Sequence, residues 1–208
     1  MIPAREALER LKEGNLRFAS GAPSTHTLPS EAHRSELVAG QAPFAVILGC
    51  SDSRVPVELV FDQGVGDLFV IRVAGNIVAA SQADSVEFAA EKFDVRLVVV
   101  LGHTQCGAIE ATIEELRKPT AEQSRKLHSI VGRVRPSVEG LMTSGGEHDH
   151  DTLVRDATRA NVRVSTDHLR YGSDVLERLR EKEGLIVVGA EYSLETGVVD
   201  FFDGPMES

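Results

Sequence analysis

Two hydrophobic rhythms alternate along this chain. Short unbroken apolar runs fall at residues 44–49 (Phe-Ala-Val-Ile-Leu-Gly), 67–73, 96–101 and 184–189. Runs of this length, apolar on successive residues, suit strands covered on both faces of a parallel sheet. Between them lie longer stretches with helical spacing. Residues 3–20 carry Ala7, Leu8, Leu11, Leu16 and Phe18 among charges, an amphipathic helix with Pro3 at its start. Residues 31–39 read as a short polar helix closed by Gly40, after a Ser/Thr/Pro-rich extended connection at 21–29. Further helical stretches are predicted at 81–93, 108–117, 121–141 and 152–182. A last strand at 197–202 follows the fourth run through the short segment 193–196, and a hairpin there makes it an antiparallel edge. The pattern predicts an α/β fold: a central, mostly parallel sheet of four strands plus an antiparallel edge strand, helices on both faces, and an N-terminal helical arm.

Composition narrows the class. A length of 208 residues fits one domain, 1–208, and allows a sizeable core without cross-links. The formal net charge of −10 argues against nucleic acid or an anionic membrane as partner. No apolar run approaches the length of a membrane span, and no signal core follows the first residues, so a cytoplasmic location is expected. Two cysteines, Cys50 and Cys106, are too few for a disulfide framework. In a reducing compartment their thiols are available for metal or catalysis.

The candidate chemistry sits where strands end. The first buried run leads into Cys50-Ser51-Asp52-Ser53-Arg54, and the third into Gly102-His103-Thr104-Gln105-Cys106-Gly107. Right-handed crossovers place the carboxyl ends of parallel strands on one edge of the sheet, where ligands bind. Two sulfurs and one imidazole can therefore converge there. That donor set suits zinc, and three protein ligands leave one tetrahedral position for water, as in catalytic sites. Cys106 also precedes a predicted helix, whose N-terminus favours the thiolate. Asp52 and Arg54 lie two residues apart, and a guanidinium fork can fix a carboxylate in one orientation beside the metal.

These motifs resemble the β-class carbonic anhydrases. Cys50-Ser51-Asp52-Ser53-Arg54 is similar to that family's first signature and His103-Thr104-Gln105-Cys106-Gly107 to its second. Arg72-Val73-Ala74-Gly75-Asn76 and the Tyr192…Thr196-Gly197 pattern are also typical, and the likeness spans nearly the whole chain. It implies zinc (Zn2+) held by Cys50, His103 and Cys106, with Asp52 and Arg54 as the catalytic dyad. The implied reaction is reversible hydration of carbon dioxide to bicarbonate by zinc-bound hydroxide that Asp52 orients. The resemblance further implies a carbon dioxide pocket lined by Gln41, Phe69, Ala74, Phe88 and Gly107. It implies a homodimer or dimer of dimers, with residues 1–30 packing on the partner subunit. Some members close at low pH, when the counterpart of Asp52 leaves its arginine and becomes a fourth zinc ligand. The bicarbonate-regulated subset carries tryptophan three residues before the first cysteine, where this chain has Ile47.

Three other readings use the same residues. A hydrolase of carbonyl sulfide or carbon disulfide would keep the fold and the metal. A zinc-stabilised scaffold would normally close its metal with a fourth protein ligand. A redox protein would use Cys50 and Cys106 directly. His148-Asp149-His150 reads as a solvated loop, and His26, His33, His128 and His168 lack partners at metal-ligand spacing. Arg133, Arg135, Arg155, Arg159, Arg163 and Arg170 read as salt bridges on helix surfaces or facing another subunit.

Overall fold

In a computed structural model, residues 2–24, 30–119, 128–143 and 149–204 are described. Five strands form one sheet: β1 (Ala45–Gly49), β2 (Leu68–Arg72), β3 (Leu97–His103), β4 (Ile186–Tyr192) and β5 (Val199–Asp203), in the order β2-β1-β3-β4-β5. The first four are parallel and β5 runs antiparallel to β4. Both the parallel core and its antiparallel edge are those the apolar runs predict. β1 and β3 are buried at every residue, which is why their sequences do not alternate.

Among the described residues, eight helices surround the sheet: α1 (Ala4–Ala19), α2 (Glu31–Leu37), α3 (Val57–Val60), α4 (Ala80–Lys92), α5 (Gly107–Arg117), α6 (His128–Thr143), α7 (His150–Tyr171) and α8 (Asp174–Lys182). On one face, Ile47, Leu97, Val99 and Leu101 pack against α1 and α3 through Ala7, Leu11, Val57 and Phe61. On the other, Val46, Leu48, Val98 and Val100 meet α4, α7 and α8 through Val86, Val162 and Leu176. A third cluster lies beyond the carboxyl ends of the strands, where Ile109, Ile113, Val134, Val138 and Ala157 surround Cys50 and Cys106.

Several boundaries differ from the sequence reading. The helical stretch 152–182 is two helices, because Gly172 ends α7 and the Ser173 hydroxyl caps α8 by accepting from the Leu176 N–H at 3.1 Å. β3 runs on to His103, and β4 spans Ile186–Tyr192 rather than 184–189. The short α3 after Pro56 follows no apolar rhythm and was not expected. Residues 25–29, with His26 and much of the expected connection, lie outside the described residues. So do 121–127 of the expected helix and His148. Asp149 caps α7, its carboxylate accepting from the Thr152 N–H at 3.0 Å. Among the described residues, no helix is long and apolar enough to cross a membrane.

α1 turns its apolar stripe onto the core of its own chain: Ala7 and Leu11 are fully buried, and Leu8 and Phe18 pack against the same cluster. Leu16 is 65% exposed. Asn15 fixes the helix: its amide donates to the carbonyls of Val60 (3.1 Å) and Gly197 (2.9 Å), and its oxygen accepts from the Val199 N–H (2.8 Å). Beside it, Gly14 lets the helix approach α3 so closely that a Cβ would stand 1.9 Å from the Phe61 carbonyl oxygen. Alanine normally stabilises a helix interior relative to glycine by about 0.5–1 kcal/mol. Here the sign reverses: Gly14→Ala is expected to lower stability by about 1–3 kcal/mol through overpacking. Equilibrium urea unfolding checks this, and an unchanged or higher midpoint would refute the close approach.

Candidate metal centre

β1 and β3 lie side by side, with Gly49 opposite Leu101. Cys50, the residue after β1, therefore emerges next to His103, the last residue of β3. The chain then turns through Thr104 and Gln105 to Cys106, which immediately precedes α5. The sulfurs of Cys50 and Cys106 and a ring nitrogen of His103 lie within 4.8 Å of one another, and all three residues are buried. Both cysteines are free thiols rather than a disulfide.

The histidine is prepared as a donor. Its Nδ1 lies 2.8 Å from the Thr104 carbonyl, which can only accept, so Nδ1 carries a proton and Nε2 is the free ring nitrogen. Nε2 is buried and makes no hydrogen bond among the described residues. A buried polar atom without a partner is costly unless something occupies the space before it. Here that space is bounded by two sulfurs, and this arrangement fits a thiophilic cation. Burial opposes charging of the ring, but the neighbouring Cys50 sulfur outweighs it, so the His103 pKa is raised.

The two thiols are unequal. Cys50 is lowered to about 4, chiefly because the Cys106 thiol donates to its sulfur, against the opposing effect of burial; His103 and the Gly75 N–H assist. The Gly75 nitrogen stands 3.4 Å from that sulfur. Cys106 is pushed up, because Cys50 takes its hydrogen bond and burial disfavours a second charge. Gly75 has φ +70°, in the left-handed region, and its turn is held from α7. Asn161 donates to the Gly75 carbonyl at 2.7 Å, and Ser165 to the Asn76 carbonyl at 3.0 Å.

The expected pairing of Asp52 with Arg54 is present and two-pronged. Arg54 Nε donates to Asp52 Oδ1 at 3.0 Å, Nη2 to Oδ2 at 2.8 Å, and the Arg54 backbone N–H to Oδ1 at 2.9 Å. Nη2 also reaches the Gln105 carbonyl at 3.1 Å, which ties the dyad to the loop between His103 and Cys106. The guanidinium holds the Asp52 carboxyl well below the usual carboxylate range, so it stays ionised through ordinary acidity. Asp52 Oδ2 lies 3.9 Å from His103 Nε2, at the margin of the three-donor cluster. Arg72 grips the same loop, Nε donating to the Cys50 carbonyl at 3.0 Å and Nη2 to that of Asp52.

The remaining candidates divide into two groups. Ala74 opens the turn carrying Gly75, and Gly107 opens α5, so both adjoin the cysteines. Phe69 and Phe88 contact each other, with ring centroids 6.2 Å apart, and both meet Phe93. Phe69 packs against the core on the α4 face, whereas Cys50 and Cys106 belong to the core beyond the strand ends. Phe88 is 52% exposed, and Gln41 is exposed just before β1. Sequence reasoning quoted Arg72 and Gly75 within a motif without giving them work, and it missed Asn161 and Ser165. Their signal was available: both interrupt the otherwise apolar series Leu153, Ala157, Leu169 on the buried stripe of α7.

Known proteins resemble this chain in sequence and in fold. The carbonic anhydrase family profile matches residues 45–199. Carbonic anhydrase 2 of Mycobacterium tuberculosis is 39% identical over 191 residues, covering 92% of this chain and 89% of that protein. The solved structure of the β-carbonic anhydrase CcaA superposes with a TM-score of 0.74 at 25% identity, covering 97% of this chain and 93% of that one. A structure from the pair of tetrameric β-carbonic anhydrases of the ascomycete Sordaria macrospora has the same fold. Its TM-score is 0.75 at 21% identity, over 97% of this chain and 100% of that one.

In metal-free protein, ultraviolet thiolate absorbance should show a first step well below the ordinary thiol value of 9.0. Cys50→Ser should abolish that step. Cys106→Ala should move it upward, since the thiol that donates to the Cys50 sulfur is then lost. A single step near the ordinary value in the parent protein would contradict the unequal pair.

Proposed function

Because the chain belongs to the β-class carbonic anhydrases, we propose that it catalyses zinc-dependent, reversible hydration of carbon dioxide to bicarbonate and a proton. The observation that carries the metal assignment is the buried, unbonded Nε2 of His103 facing two cysteine sulfurs. Cys50, His103 and Cys106 would hold the zinc. Bound there, zinc would supply the Lewis acidity that brings a water's pKa toward neutrality.

The rest is the work of the protein's own groups. Asp52, kept ionised by Arg54, can only accept hydrogen bonds. Each of its oxygens is engaged by Arg54 and still has accepting capacity for the O–H of the attacking water. It thereby sets which lone pair points at the carbon. Arg54 holds Asp52 by both oxygens, so the carboxylate cannot rotate without breaking two charge-assisted bonds. The proton of the overall reaction leaves to buffer. Two thiolates holding the zinc would donate more charge than imidazoles and soften that acidification, so activity should rise toward alkaline pH.

For the substrate pocket we propose Ala74 and Gly107 beside the cysteines, completed by Gln41, Phe69 and Phe88 across an interface between two copies. The exposure of Phe88 and Leu16 supports an assembly that covers them. A homodimer or dimer of dimers is the form proposed, and the free, buried thiols accord with a cytoplasmic setting. The pairing of Asp52 with Arg54 supports the open form; the closed form, with Asp52 as fourth ligand, requires both prongs to be released.

Two measurements test this reading. Stopped-flow hydration of carbon dioxide by zinc-replete protein should be fast and increase with pH. Absence of hydration at every pH, with zinc bound, would sink the reaction and favour the sulfur-containing substrates. Asp52→Asn should retain zinc, by metal analysis, while kcat falls about 10²-fold, in line with the loss of a group that acts in proton positioning. Full activity in that variant would remove Asp52 from the mechanism.

A further inference from the structure

We propose that Glu195, in the turn between β4 and β5, is a positioning residue whose single carboxylate braces the two consecutive peptide carbonyls that orient His103 and Arg54. The proposal rests on the hydration reaction described above and adds a residue that no motif marks.

The Glu195 carboxylate gathers three side-chain donors. Its Oε2 accepts from the Thr104 hydroxyl at 3.0 Å and the Ser193 hydroxyl at 3.1 Å, and its Oε1 accepts from Gln105 Nε2 at 2.8 Å. Thr104 and Gln105 are the residues whose main-chain carbonyls matter at the site. The Thr104 carbonyl takes the His103 Nδ1 proton at 2.8 Å and so decides which ring nitrogen faces the sulfurs. The Gln105 carbonyl takes Arg54 Nη2 at 3.1 Å and is the second anchor of the guanidinium that fixes Asp52. One carboxylate, about 90 residues away in sequence, therefore stands behind both a metal donor and the dyad.

The loop needs such a brace. Gln105 has φ +54°, in the left-handed region that a residue with a Cβ rarely adopts, so its own backbone preference works against the observed carbonyl direction. Around it, the Thr104 N–H donates to the Tyr192 carbonyl at 3.0 Å, and the Leu194 N–H to the Thr104 hydroxyl at 3.0 Å. These bonds fix Thr104 against the end of β4. They do not reach the Gln105 side chain, which Glu195 holds. A carboxylate is also the suitable group, because it accepts at both oxygens. Glutamine would offer one oxygen and turn an NH₂ toward donors. Glu195 is exposed, and its pKa is lowered, first by its own backbone N–H and then by the Thr104 and Ser193 hydroxyls. Its value to the protein therefore lies in geometry rather than burial.

The test compares Glu195→Ala and Glu195→Gln with the parent protein. Partners outside the ligand shell typically change affinity or activity 10–100-fold. In zinc-loaded Glu195→Ala, kcat should fall about tenfold with KM within about twofold, since the lost orientation matters in the transition state. The thermal midpoint should stay close to that of the parent, and Glu195→Gln should fall between the two. A second readout needs neither zinc nor turnover: nitrogen-resolved proton NMR of the His103 Nδ1–H in metal-free protein. Its exchange with solvent should be about tenfold faster in Glu195→Ala. Parent-like kcat with an unchanged Nδ1–H signal would overturn the proposal and leave Glu195 a surface tie. A fall in kcat that only tracks lost folded protein, with the signal unchanged, would overturn it as well. If the parent itself hydrates no carbon dioxide, the reaction is wrong, and the Nδ1–H exchange rate still decides whether Glu195 holds His103.

Discussion

The site is set by the register in which β1 lies against β3. With Gly49 opposite Leu101, Cys50 leaves its strand level with Gly102 and one residue short of His103. Side chains alternate across a sheet, so a slip of one residue would send the imidazole to the opposite face. Backbone pairing by itself does not choose this register. It is enforced by Ile47, Val99 and Leu101 on one side and Val46, Leu48, Val98 and Val100 on the other, each set buried against its own helices. The convergence of three candidate metal donors is thus inherited from aliphatic packing two to five residues upstream. The parallel pairing of β3 with β4 extends the same frame to Tyr192, and so fixes where the following turn can reach back.

Within that frame the difficulty is charge. The chain is acidic overall, and its candidate centre concentrates a further carboxylate and a thiolate in a partly buried space. Compensation comes from groups in fixed positions. Arg54 takes both oxygens of Asp52, and Arg72 takes the carbonyls on either side of Ser51. The Gly75 N–H faces the Cys50 sulfur, and α5 begins immediately after Cys106. Each donor is itself tied by a second bond, as when Asn161 holds the Gly75 carbonyl. The preorganisation lies in these second bonds, since they prevent the site from relaxing when its charge changes.

How much of this could be read in the sequence depends on how local the cause is. The four parallel strands were legible because burial on both faces leaves an unbroken apolar run. The candidate ligands were legible because cysteine and histidine stood at the ends of such runs. The break between α7 and α8 was written in Gly172 and Ser173 but hidden by continuous helical spacing on either side. α3 had too few residues to show a period. Asn161 and Ser165 could be found only by asking why an apolar stripe turned polar. The association of Phe69 with Phe88 and Phe93 has no local signature, since core and pocket draw on the same residue type. The Glu195 bonds span about 90 residues and are side chain to side chain, a class of contact with no sequence period.

Asn15 joins α1 to segments made far apart in time. Its partner Val60 follows 45 residues later, whereas Val199 follows 184 residues later. During synthesis α1 can dock on α3 and the emerging sheet early, but its amide oxygen waits for the last strand before the bond to Val199 can form. Chains of this length grow over roughly ten to forty seconds at ordinary elongation rates. Over that interval the stripe through Ala7 and Leu11 has an incomplete surface to rest on, and an incomplete surface of this kind is open to misassociation on the ribosome. The helix that completes the β4–β5 turn in the finished protein is therefore also a part of the nascent chain that must wait for its last partner.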